Sequence, residues 1–466
     1  MISVINPANG ELVTTLESST THAIDEAIHT ARIAFDKGVF RQLPMRQKAS
    51  KLREVGAEIR LLKPELARLE SLCNGKLYTE ALEDMDDCAD VFDYYAGWVD
   101  KHHAEVIPTN DGFLNYTQYE PYGVCALIVP WNFPLLLACW KMANALACDN
   151  TIVIKPAEQT PLSLICLLTA ISDKKLLPPG VVNLVLGGGD VGDYLTHHTG
   201  IDKVSFTGST AVGRKILQAS AISNLKPVTL ELGGKSPNII FDDVYDLDEA
   251  INRSFTAMFC HKGEKCSEPT RLLVQEGSYH QVVDKMITKA NAIKCGSPFD
   301  ATSQQGAQCY RAHFDRILNY IDSGREEGAT VVAGGHADTS GQNANGLFIR
   351  PTIFVDVKQS MRIVQEEIFG PVLTIQSFKD EEEALHLAND SAYGLAAGFY
   401  TRDINRAHRL AKKIKAGMVF INRYGMYDFS SPFGGIKASG WGREMGIHSL
   451  ESFTYCKSIW WHLGES

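Results

Sequence analysis

Through roughly the first hundred residues, apolar side chains recur every three or four positions, the spacing of one helix face. The pattern predicts helices over Thr21–Gly38, Pro44–Leu62 and Pro64–Asn74. At Gly112–Tyr122 (GFLNYTQYEPY) the period drops to two, as in a strand with one solvated face, and the segment reads as a candidate hairpin arm. From Val124 onward short apolar runs alternate with helical patterns. Cys125–Val129, Thr151–Lys155, Val182–Leu186, Lys203–Phe206 and Val228–Glu231 read as buried strands. Helices are expected between them near Pro134–Cys148, Pro161–Leu177, Val191–His198 and Ala211–Ser220. Asn238–Phe241 opens a second series, followed by helix Asp248–Phe259, strand Thr270–Val274, helix Tyr279–Ala292 and, later, strand Gly417–Ile421. Such alternation implies βαβ units on parallel sheets. The expected fold is α/β, with two α/β domains joined near Gly233–Pro237.

Composition narrows the class. At about 100–200 residues per domain, 466 residues suggest two to four domains. The net charge of −10, with no basic stripe, argues against a nucleic-acid partner. No apolar run approaches the ~20 residues that a membrane span needs. The opening MISVINPANGEL has neither the basic start nor the apolar stretch of a secretory signal, so a cytoplasmic protein without a membrane partner is expected. Eleven cysteines, an odd number without a CxxC pair, fit reduced thiols better than a disulfide framework. No metal site is expected.

Several segments carry candidate chemistry. Gly187–Gly192 matches GxGxxG between a strand and a helix, although no well-placed acid follows. In Phe206–Gly213 (FTGSTAVG), Ser209 and Thr210 stand at a helix start, where backbone N–H groups meet phosphates or where a hydroxyl simply caps the helix. Lys155 and Glu158 close a strand at the edge where nucleotides bind such sheets; a solvated loop pair is the alternative. Cys266 lies in the polar loop HKGEKCS, and its two lysines are expected to favour the nucleophilic thiolate. Glu231 ends an apolar strand, and burial would raise its pKa toward general-base range. Asn132, before the N1 proline Pro134, is an amide donor suited to an oxyanion. Phe133, Leu137 and Trp140 share one helix face, either as core or as the wall of an apolar tunnel.

Together these motifs resemble the NAD(P)-dependent aldehyde dehydrogenase superfamily of the hydrolytic, non-acylating type. The resemblance rests on PWNFP (Pro130–Pro134), KPAEQTP (Lys155–Pro161), FTGST (Phe206–Thr210), LELGGKSP (Leu230–Pro237), GEKCS (Gly263–Ser267), EEIFGPV (Glu366–Val372) and SPFGGIKASGWGRE (Ser431–Glu444). It implies a Rossmann-type NAD-binding domain (1–101 and 123–233), an α/β catalytic domain (234–445) and a small β oligomerisation arm (102–122 and 446–466). The arm implies a homo-dimer or homo-tetramer.

By the same resemblance, Cys266 is the nucleophile, Asn132 with the Cys266 backbone N–H holds the oxyanion, and Glu231 activates water to hydrolyse a thioester. Lys155 and Glu158 bind the adenosine ribose and Ser209 the pyrophosphate, with Gly208 and Trp131 beside them. Glu367 and Phe369 hold the nicotinamide-ribose end, while Lys141 and Glu444 form a proton relay. Glu158 would repel a 2′-phosphate, which favours NAD over NADP. Phe133, Leu137, Trp140, Tyr427 and Phe433 match tunnel positions for a small aldehyde, apolar or aromatic, with Arg423 and Lys265 near enough to suit a semialdehyde. His261, Glu264 and Ala211 depart from the usual residues, and the first two are expected to shift the nucleophile's pKa. A cofactor-independent cysteine esterase and a catalytically silent relative are the competing functions.

Overall fold

The computed structural model describes residues 1–464 and arranges the alternating runs as two mostly parallel sheets. In the first, strands Val182–Leu184, Thr151–Lys155, Val124–Ile128, Lys203–Thr207 and Val228–Glu231 lie side by side in that order, all parallel. The three central strands, Thr151–Lys155, Val124–Ile128 and Lys203–Thr207, are buried along their whole length because both faces are covered. Cys125 and Leu127 enter one core with helix Pro134–Ala147, whereas Val124, Ala126 and Ile128 enter another with Ile24 and Ile28 of helix Thr21–Asp36. Chain order reverses between Val124–Ile128 and Lys203–Thr207. That reversal is a topological switch point, where a crevice opens beyond the strand carboxyl ends. A sixth strand, Gly440–Trp441, adds antiparallel to Val228–Glu231 with Gly440 opposite Glu231.

The second sheet has seven strands, ordered Thr330–Ala333, Thr352–Val355, Val372–Phe378, Arg271–Gln275, Pro237–Ile240, Ala396–Tyr400 and Met418–Ile421. Only its first pair is antiparallel. Separately, Phe113–Pro121 pairs antiparallel with the tail strand Thr454–His462, Phe113 standing opposite His462. The two segments expected to form an arm, 102–122 and 446–466, thus share a sheet; the last two residues of the second lie outside the described residues. Among the described residues no helix is long and apolar enough to cross a membrane.

Two helical expectations change. Pro44–Leu62 and Pro64–Asn74 are one 30-residue helix, Met45–Asn74, with Pro64 inside it. An interior proline costs about 3 kcal/mol. Leu52, Val55, Ile59, Leu66 and Ala67 are fully buried on both sides of Pro64, and their packing offsets that cost. The neighbouring helix Tyr78–Ala96 has no counterpart in the sequence reading, since its acidic run (EDMDDCADVFD) masks a buried stripe of Ala81, Met85, Cys88, Ala89 and Phe92. The short ribbon Ile2–Ile5 with Leu12–Leu16 was likewise unexpected.

Candidate active site

Beyond the carboxyl edge of the six-stranded sheet lies a cavity of about 740 Å³. Each residue expected at the cofactor lines it: Trp131, Lys155, Glu158, Gly208, Ser209, Glu367 and Phe369. Gly189, Asp190 and Gly192 of the glycine loop join them. Lys155 Nζ donates to the carbonyls of Pro156 (2.9 Å) and Gly187 (2.7 Å) and stands 3.9 Å from a Glu158 carboxylate oxygen. Burial pulls this amine below the ordinary lysine range. Ser209 Oγ accepts the Val212 N–H at 3.3 Å, so it caps the helix Thr210–Ile222. Thr207 Oγ1, on the same edge, is buried, lines the cavity and has no partner among the described residues. An edge with a free hydroxyl, helix-start N–H groups and a basic side chain fits a dinucleotide.

At the cavity's far wall the Glu367 carboxylate accepts the Gly234 N–H (2.9 Å), and burial pushes its pKa up to about 7. A Cβ at Gly233 would stand 2.1 Å from Glu367 Oε2, which explains the glycine. Phe369 adopts a left-handed φ of 65° and packs edge-on to Trp131, with ring centroids 5.4 Å apart. His313, Tyr310, Val212, Lys215 and Arg316 also line this cavity; sequence reading missed them. No motif marks them, because they come from a third element, the helix Arg311–Glu326 with its cap Tyr310, and from the outer turn of Thr210–Ile222.

A second, narrower cavity of about 60 Å³ adjoins the first, with Asn132, Thr207, Glu231 and Cys266 common to both. Phe133, Leu137, Trp140, Tyr427 and Phe433 line it as expected, together with Leu136, Phe420 and Met426. Trp140 meets Phe433 and Tyr427 edge-on at 5.4 and 5.7 Å. Lys265 also lines it, whereas Arg423 is exposed and does not.

Asn132, Glu231 and Cys266 line both cavities. Cys266 follows a strained turn in which His261 (φ 47°) and Lys262 (φ 64°) are left-handed. The His261 N–H, bound to a Glu80 carboxylate oxygen at 2.7 Å, anchors that turn. Asn132 Nδ2 donates to the Glu264 carbonyl (2.9 Å). Its second N–H has no protein acceptor among the described residues. Glu231 is buried, and its Oε2 has no partner among the described residues. Burial, then the nearby Glu444, holds its carboxyl well above the ordinary range, against the opposing pull of Lys141 and Arg443. Lys141 and Glu444 form a buried ion pair beside it. A Cβ at Gly434 would come 2.6 Å from Glu231 Oε1, so the glycine-rich segment makes room for this carboxylate.

One electrostatic expectation is reversed. The Cys266 thiol is pushed up to about 12, by burial first and then by Glu231 and Glu367; Lys265 opposes the shift without overcoming it. Lys262 turns away to Asn74 (2.8 Å) and Glu264 (2.8 Å). Glu264 is itself buried, accepting the Cys309 N–H and standing 3.5 Å from His313, so it braces the loop. Ala211 is exposed.

Residues 1–459 match the model of the aldehyde dehydrogenase family. An aldehyde dehydrogenase of Emericella nidulans is 46% identical over 99% of this chain and 92% of its own. A mitochondrial aldehyde dehydrogenase of Homo sapiens is 42% identical over 98% and 87%. Among solved structures, an NAD+ complex of aldehyde dehydrogenase from Bacillus cereus superimposes with a TM-score of 0.96 at 43% identity, over 99% of this chain and 93% of that one.

Proposed function

The chain belongs to the aldehyde dehydrogenase family and oxidises aldehydes with a nicotinamide cofactor; on that premise we propose that it forms the free acid through a thioester on Cys266, with NAD as cofactor and water as acyl acceptor. The observation that carries this reading is the junction: Cys266, Glu231 and Asn132 border both cavities. The cavities for cofactor and aldehyde therefore meet at one sulfur.

With its thiol held high, Cys266 rests protonated, and Glu231 is the base that takes the proton as sulfur adds to the carbonyl. The resulting thiohemiacetal oxyanion is met by the free Asn132 N–H and the Cys266 backbone N–H. When bound in the larger cavity, NAD supplies the hydride acceptor that turns the thiohemiacetal into the thioester. Once the Glu444–Lys141 pair has taken the thiol proton from it, Glu231 activates a water molecule. Water adds to the thioester carbonyl, the acid leaves, and the thiol is restored. The Glu444–Lys141 pair passes the proton onward.

Lys155 and Glu158 hold the adenosine ribose, Gly208 and Ser209 the pyrophosphate, and Glu367, Phe369 and Trp131 the nicotinamide-ribose end. Glu158 would repel a 2′-phosphate, hence NAD over NADP. We assign 1–101 and 123–233 to the NAD domain, 234–445 to the catalytic domain, and 102–122 with 446–466 to a pairing arm. Trp460 and Trp461, 62% and 60% exposed on that arm, support a homo-dimer or homo-tetramer. Eleven free cysteines support a reducing compartment, the cytoplasm in our reading.

Incubation with NAD and an aldehyde panel, without coenzyme A, tests the proposal. It expects one acid released per NADH. NADH formation that requires coenzyme A would overturn hydrolysis as the release step.

A further inference from the structure

The narrow cavity is apolar except at a few points, and those points are unevenly matched. Lys265 is the only cation among its lining residues. This side chain makes no ion pair among the described residues, and its only hydrogen-bond contact is the Cys260 sulfur at 3.8 Å. Burial pulls its ammonium down, but Cys260 and Glu268 hold it above the ordinary lysine range, so it keeps its charge. Glu268, although it adds to that rise, forms no ion pair with Lys265 among the described residues. In the same lining, the Trp140 indole N–H is buried without an acceptor among the described residues. Lysine and indole groups donate and cannot accept. A buried charge and a buried donor left unpaired are both unfavourable, and an incoming acceptor relieves them together.

From these two unpaired donors we infer that the aldehyde taken by this cavity is a short semialdehyde, carrying a carboxylate that Lys265 and Trp140 bind while Cys266 holds the carbonyl. The inference rests on the proposed function and names its substrate class. Short length follows from the cavity's size, about 60 Å³. A quaternary-ammonium aldehyde would meet Lys265 as a like charge.

The test compares 4-oxobutanoate, its methyl ester and butanal as substrates with NAD. The wild-type protein is expected to favour 4-oxobutanoate over the ester by about 10- to 100-fold in kcat/KM, the range for a hydrogen bond to a charged group. In Lys265→Met that ratio falls to about one, and in Lys265→Arg it persists. Trp140→Phe, which removes the N–H together with part of the ring, lowers the acid-to-ester ratio several-fold. Equal wild-type efficiencies for acid and ester overturn the inference, as does a preference that survives in Lys265→Met. A protein that forms no NADH with any of the three aldehydes contradicts the proposed function instead.

Discussion

The two cavities that meet at Cys266 are built by different rules. The wide one follows the edge of a parallel sheet, so its residues sit at strand ends and helix starts that topology brings together. The narrow one is walled by one face of helix Pro134–Ala147 and by segments hundreds of residues away, such as Phe420–Tyr427 and Phe433. The first holds a shape common to many nucleotide-binding sheets. The second is a packing accident of distant loops, free to vary with substrate. One protein can thus keep its redox partner fixed while its aldehyde changes.

Substitutions should separate the two sides. Cys266→Ala strikes the junction and carries the largest effect: NADH formation falls by on the order of 10⁴-fold or more. NAD affinity by calorimetry stays within a few-fold. Loss of NAD binding would mean that the sulfur holds the cofactor cavity open rather than reacting.

The acid limb of the pH profile follows from Glu231. Its carboxyl titrates above the usual range, and only the ionised form is a base. Activity is therefore present above that raised pKa and is lost as pH falls through it. The limb in kcat/KM should lie above the ordinary glutamate range and vanish in Glu231→Gln. An unchanged limb would assign the base elsewhere.

Smaller changes sharpen the contrast. Glu158→Ser, at the ribose end, should raise kcat/KM for NADP about tenfold by removing a like charge, with Lys155 left to meet the phosphate. Its aldehyde KM should not move. Phe433→Ala should do the reverse, raising KM for bulkless aldehydes several-fold and leaving KM for NAD alone. Crossed effects in either variant would deny that the cavities are separate.

Legibility in the sequence follows the same division. Lys155, Glu158, Ser209 and Glu231 were readable because strand ends are marked by the change from apolar runs to glycine, proline and small polar residues. Boundaries of Thr151–Lys155, Val228–Glu231 and Tyr279–Ala292 match the sequence reading. Helix Met45–Asn74 did not, because a local proline signal lost to the tertiary packing around it. The state of Cys266 was misread for a related reason. Lys262 and Lys265 are close to it in sequence, yet one is spent on Asn74 and Glu264 and the other faces Cys260. The thiol is raised by its burial first and then by Glu231 and Glu367, 35 residues before and 101 after it, against which Lys265 pulls too weakly. No pattern along the chain reports that.

The most direct measurement is the intact mass of Glu231→Gln after mixing with NAD and an aldehyde it oxidises. The account predicts NADH that forms more slowly than in the wild type and stops near one equivalent per site, with a mass increase equal to the acyl group mapped to Cys266 by peptide analysis. Full steady turnover with no acyl adduct on Cys266 would contradict it.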